Sequence, residues 1–147
     1  MKLFHGTSSV YLPEILKSGL ELRKDPCTGE EVVCLTDDPY AAEWFAFIKC
    51  YGIDDIMPFL RSRDDWCMKS WRAIERVGGV PIIVYTRAEK VRLSEEYDVL
   101  NRIFKDKIFQ IYLSDVAIPA KNLRVEIVKN SLLGVVSVIF RSDLIEI

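Results

Sequence analysis

The uneven placement of helical and extended patterns constrains this chain most. Val80-Pro81-Ile82-Ile83-Val84-Tyr85 is its clearest strand, a short apolar run rich in β-branched residues. Two or three helical patterns sit in the first half, and most strand patterns lie in the second. Tyr11 to Ser18 reads as a short helix, with Pro13 in its first turn, Gly19 as its stop, and Leu12, Ile15 and Leu16 at i, i+3, i+4. Val32 to Leu35 reads as a strand. A helix then starts with Asp38 as N-cap and Pro39 as its first residue, carries the stripe Tyr40, Ala41, Trp44, Phe45 and Ile48, and closes at Gly52. Residues 53–77 hold a second helical stretch, with Trp66, Ser70, Trp71 and Ile74 on one face, ended by Gly78-Gly79. Strands are expected at Lys90–Leu93, Lys107–Leu113, Arg124–Val128 and Val135–Phe140, with a helical turn at 119–123 and an edge strand at Asp143–Ile147. Helices and strands do not alternate regularly. This predicts one α+β domain over residues 1–147 rather than a doubly wound parallel sheet.

Composition narrows the function classes. The 147 residues carry 20 basic and 22 acidic side chains, with a formal charge of −2 and no basic block. A charge-driven nucleic-acid binder is not indicated. No apolar run approaches the roughly 18–20 residues that span a bilayer, so no membrane partner is expected. The start, Met1-Lys2-Leu3-Phe4-His5-Gly6, is too poor in apolar residues for a signal peptide. Cys34 lies in an apolar run and Cys50 ends a helical pattern. Both read as buried thiols, and the expected location is cytoplasmic. The four cysteines, Cys27, Cys34, Cys50 and Cys67, contain no C-x-x-C, and His5 is the single histidine. Two-histidine sites are therefore excluded, a zinc ribbon is not indicated, and no metal is expected. Asp54-Asp55 and Asp64-Asp65 lack metal-ligand company and suit helix starts. Gly78-Gly79 lacks the Lys-Ser/Thr of a phosphate loop.

Candidate chemistry begins at Leu3-Phe4-His5-Gly6-Thr7-Ser8. Here an imidazole is expected at a strand end, before a turn at Gly6 to Ser9. Gly6, without a Cβ, lets a ligand approach the backbone. His5 can give a hydrogen bond to a hydroxyl while uncharged, and Thr7 and Ser8 add hydroxyls. The plain alternative is a strand-end histidine before an ordinary turn.

This segment, followed by Ile15-Leu16-Lys17-Ser18-Gly19-Leu20 and then Val33-Cys34-Leu35-Thr36-Asp37-Asp38-Pro39-Tyr40-Ala41, resembles the ADP-ribosyltransferase superfamily. The resemblance is to the branch holding poly(ADP-ribose) polymerases, DNA-ADP-ribosylating toxins and tRNA 2′-phosphotransferases. It runs from residue 3 to about 128, through Val80–Val84, Val91-Arg92-Leu93, Gln110–Leu113 and Ile118-Pro119. It implies a split antiparallel sheet with flanking helices, and NAD as the substrate. His5 would bond the 2′-hydroxyl of the adenosine ribose, Gly6 would clamp the nicotinamide carboxamide through its backbone, and Thr7 and Ser8 would lie beside them. The family's stacking tyrosine falls on Cys34, so Tyr40 or Trp44 would cover the nicotinamide. The alternative for Tyr40 and Trp44 is the core stripe of their helix.

The family's catalytic glutamate falls near Gln110. An amide accepts a hydrogen bond but supplies no negative charge, and losing one such electrostatic stabiliser costs on the order of 10²–10³ in rate. Glu95 and Glu96 are the candidate replacement acids; otherwise they are solvated charges. The leading expectation is transfer of ADP-ribose to a protein or nucleic-acid acceptor with release of nicotinamide. The alternative is a catalytically inactive module that binds NAD or ADP-ribose. RNA 2′-phosphotransfer ranks third, with Arg72, Arg76, Arg87, Lys90 and Arg92 as its modest basic supply. A purely structural role through edge pairing at 135–147 is a further possibility.

Overall fold

The computed structural model describes residues 1–25, 29–56, 69, 71–94 and 110–128. Cys27, Trp66, Cys67, Ser70, Asp64-Asp65, Glu95, Glu96 and the strands expected at 135–140 and 143–147 lie outside the described residues. The described residues form an α+β fold. Its strands are β1 (Lys2–Ser8), β2 (Arg23–Lys24), β3 (Glu31–Thr36), β4 (Pro81–Arg87), β5 (Arg92–Leu93), β6 (Ile111–Ser114) and β7 (Leu123–Ile127). Its helices are α1 (Leu12–Ser18), α2 (Pro39–Tyr51) and α3 (Ile53–Ile56), with short 3-10 turns at Ser9–Tyr11 and Ala120–Asn122. No helix among the described residues is long and apolar enough to cross a membrane.

All strand pairs are antiparallel, in the order β5-β6-β3-β1-β4-β7, with β2 added beside β3. The strands alternate, so each sends side chains to two faces. Leu3, Val33, Leu35, Ile82 and Val84 point to one face, where Ile15 of α1, Leu20 and Ile118 complete a core. Phe4 and Ile83 point to the other face and meet Ala42 of α2.

Local chemistry explains the helix ends. The Tyr40 backbone N–H donates to Asp38 Oδ1 at 2.8 Å, and Pro39 follows the cap, so α2 starts where the sequence places it. Gly19 ends α1 at φ +83°, a conformation that favours glycine.

Three expectations need correction. Gly6 to Ser8 are not a turn; they continue β1, because each pairs with β4, down to Ser8 opposite Pro81. The turn starts three residues later than expected, at Ser9–Tyr11. Leu16 does not join the core face of α1 but is 65% exposed, since two turns of helix reach the sheet only through Leu12 and Ile15. Within the expected second helical stretch, the described part holds α3 and a helical turn near Trp71, where the Ala73 N–H donates to Lys69 O at 3.1 Å.

Candidate functional site

The sheet is nearly divided in the middle. Between β1 and β3 only Phe4 and Thr36 pair. Beyond that pair, Gly6 and Thr7 of β1 have no partner in β3. A cavity of about 340 Å³ opens at this place, at the lower end of the ~300–1,000 Å³ typical of small-molecule sites. Its walls include His5, Gly6 and Thr7 of β1, Cys34, Leu35 and Thr36 of β3, and Ile111 of β6. Tyr11, Glu14, Ile15, Gly19, Leu20 and Arg23 come from the α1 side. Phe45, Lys49, Ile74 and Glu75 come from α2 and the segment beyond it.

His5 is fixed within this gap. Its Nδ1 lies 2.6 Å from the backbone oxygen of Cys34, 29 residues away in sequence. A carbonyl only accepts, so Nδ1 carries the hydrogen and donates. Burial lowers the His5 pKa from its ordinary 6.5. The Cys34 carbonyl opposes that shift, and the charges of Lys49 and Arg23 add to it. The ring is therefore neutral near pH 7, and Nε2 is its acceptor. This corrects the expected direction of the hydrogen bond: His5 is built to accept from a hydroxyl, not to donate to one.

Gly6 has a structural reason for its identity. A Cβ at this position would sit 1.7 Å from the Ala42 carbonyl oxygen and 3.0 Å from the Ala46 N. The backbone of α2 lies directly on β1, and Ala42 and Ala46 are small for the same reason. The approach foreseen from sequence is thus partly filled by the protein's own helix. Gly6 still lines the cavity, through backbone.

The other sequence candidates divide. Thr7 is buried and lines the cavity; Cys34 lines it too but is half-buried, because it faces this opening, and only Cys50 is the buried thiol expected. Cys34 and Cys50 form no disulfide among the described residues. Ser8 does not line the cavity. Its hydroxyl donates to the Gly78 carbonyl and accepts from the Val10 N–H, which ties the strand end to the Gly78-Gly79 loop. Tyr40 is exposed at the start of α2, and Trp44 is wholly buried against Trp71, with ring centroids 5.4 Å apart. Neither lines the cavity. Phe45, next to Trp44, is the aromatic side chain that α2 gives to the wall. Helical spacing alone could not select it, because α2 is buried on more than one side, against the sheet and Trp71.

Gln110 also stands apart from the cavity. Its N–H donates to Asp37 Oδ1 at 2.9 Å, and its Oε1 accepts from the Tyr112 hydroxyl at 3.0 Å. The β6 residue on the wall is Ile111. The basic residues considered for RNA phosphate do not converge there either. Arg72 pairs with Asp54, Arg76 with Asp55, and Arg92 with Glu30 and Asp115. Sequence reading missed the cations that do reach the wall, Arg23, Lys24 and Lys49. Arg23 and Lys49 are 26 residues apart, and only folding joins them.

Compared with known proteins, the chain matches no family model, no curated protein and no solved structure.

Proposed function

We propose that the cavity between β1 and β3 binds NAD, and that the chain is an ADP-ribosyltransferase-like protein that passes ADP-ribose to a protein or nucleic-acid acceptor. One observation carries this reading. His5 is a neutral, oriented imidazole in a divided sheet, held by the Cys34 carbonyl, with the Gly6 backbone beside it on the same cavity wall. Nε2 would accept a hydrogen bond from a ribose hydroxyl. Gly6, which has no β3 partner on that edge, would offer backbone polar groups to the carboxamide. Phe45 would supply the apolar surface for the nicotinamide ring in place of Tyr40 or Trp44. In the reaction, the bond from ribose to nicotinamide nitrogen breaks with its electron pair leaving on nicotinamide. An acceptor lone pair then forms the new bond to the same ribose carbon, and the acceptor's proton passes to solvent.

The second reading is a module that binds NAD or ADP-ribose without turnover. The position of Gln110 favours it. An uncharged amide, engaged with Tyr112 and away from the wall, supplies no charge to an oxocarbenium-like transition state.

Incubation with NAD labelled in its nicotinamide tests both. Release of label that is lost in His5→Ala supports transfer. Binding seen by calorimetry, with no release over hours and with candidate acceptors present, rejects transfer and leaves the module. No binding and no rise in melting temperature rejects both. If release occurs, its survival in Gln110→Ala and loss in Glu95→Gln or Glu96→Gln assigns the acid to residues 95–96.

A further inference from the structure

Two cations on the cavity wall meet one aromatic ring. Arg23 Cζ lies 4.9 Å and Lys49 Nζ 5.5 Å from the centroid of Tyr11. Arg23 comes from β2 and Lys49 from the last turn of α2. All three residues line the same cavity as His5. Both charges add to the lowering of the His5 pKa that burial dominates.

Four arginines are engaged away from this cavity. Arg72, Arg76, Arg92 and Arg124 each form an ion pair with a carboxylate outside the cavity. Lys49 forms no ion pair among the described residues. Arg23 touches Glu14 at 2.7 Å, but that pair is exposed, and a guanidinium has five N–H donors, more than one carboxylate occupies. Of the other acids on the wall, Glu21 and Glu75 are exposed and screened by water, while the buried Asp25 is offset in charge by Lys24, the next residue, which also lines the cavity.

We propose that Arg23 and Lys49 form a phosphate subsite of the His5 cavity, with Tyr11 as the platform that holds both cations in place. The chemistry of the neighbours selects the ligand class. Nε2 of His5 calls for a hydroxyl donor, and Arg23 with Lys49 calls for an anion with several oxygens. A hydroxyl and a phosphate within one cavity describe a sugar phosphate, and a nucleoside diphosphate supplies both. The subsite deepens the NAD reading and takes the identity of the nucleotide from it, but it does not require turnover.

Calorimetric titration with ADP-ribose, inorganic pyrophosphate, adenosine and NAD tests the subsite. The proteins are wild type, Arg23→Gln, Lys49→Gln, the double variant, and Arg124→Gln as a cation removed elsewhere. Melting temperature checks that each is folded. Each single substitution at the subsite should weaken ADP-ribose and pyrophosphate by roughly tenfold or more, the scale of a lost charged hydrogen bond. Adenosine should bind all variants alike, and Arg124→Gln should match wild type. Unchanged ADP-ribose affinity in the double variant overturns the subsite. So does an equal loss of adenosine, which means a damaged cavity, or an equal loss in Arg124→Gln, which means a general charge effect. Wild type that binds neither phosphate probe also overturns it. If pyrophosphate depends on Arg23 and Lys49 but NAD does not bind, the subsite stands and the NAD reading fails. If NAD binds with the same affinity in the double variant, the reverse holds.

Discussion

Along its β4 edge, β1 is paired without a break from Lys2 opposite Arg87 to Ser8 opposite Pro81, whereas along its β3 edge only Phe4 meets Thr36. One strand thus has a closed edge and an open one. On the closed edge, backbone groups satisfy one another, and the side chains that bridge the pair belong to the core, such as Val84 opposite His5. On the open edge, polar groups that a continued ladder would have absorbed face a cavity instead. The Cys34 carbonyl takes its hydrogen bond from an imidazole. Buried backbone groups must find partners, so opening a sheet creates positions where a side chain or a ligand completes the pairing. This is why the chemistry concentrates at His5 although Leu3, two residues earlier on the same face, is only core.

Substitutions that treat the two edges alike would break this comparison. The largest effect is expected from Gly6→Ala, which affects both edges by pushing α2 off the sheet. The added methyl meets backbone, not a movable side chain, so the cost should reach the upper end of overpacking, about 3 kcal/mol or more. Urea unfolding measures it, and a loss under about 1 kcal/mol would mean that α2 does not rest on β1 as described.

On the closed edge, Val84→Ala removes fully buried core methyls and should lower stability by about 2 kcal/mol, with ligand affinity kept. On the open edge, His5→Ala should do the reverse. Its stability cost should be about 1 kcal/mol, because water in the cavity can solvate the Cys34 carbonyl, while NAD affinity falls at least roughly tenfold. Equal effects of the two substitutions on affinity would remove the distinction between the edges.

A pH series sharpens it further. The folded pKa of His5 lies below its ordinary 6.5, so folding favours the neutral ring. The stability this contributes is fully present above pH 6.5. It is lost as pH falls through the lowered folded value, because below 6.5 the unfolded chain binds the proton first. Unfolding free energy should therefore drop on acidification in wild type relative to His5→Phe, and parallel curves would show that burial does not hold the ring neutral. The smallest effect is expected far from the gap. Arg92→Ala removes exposed ion pairs to Glu30 and Asp115 and should leave stability nearly unchanged, with slightly greater sensitivity at low salt.

Local patterns carried much of the architecture. Asp38-Pro39 announces α2, Gly19 and Gly52 end their helices at positive φ, and the apolar runs at 32–35 and 80–85 become strands. These features depend on neighbours within a few residues, through caps, turn geometry and β-branched sterics. His5 and Gly6 were legible as candidates for the same reason, since their chemistry is written in adjacent positions. The outcomes that the sequence misplaced or left open each needed a contact from elsewhere. Gly6 to Ser8 stay extended because β4 pairs with them, Trp44 is core because Trp71 covers it, and Gln110 leaves the site because Tyr112 and Asp37 hold it.

The sequence by itself determined the α+β class, the limits of α2 and the presence of a single imidazole. Only the tertiary structure decided what that imidazole does. It brought the Cys34 carbonyl to Nδ1, set Gly6 under the backbone of α2, and drew Arg23, Lys49 and Phe45 into one cavity wall. The reason is physical: helix caps and strand propensity act over a few bonds. The protonation and direction of a half-buried ring depend on the dielectric, the charges and the carbonyls packed around it, which come from residues 18 to 44 positions away in the chain.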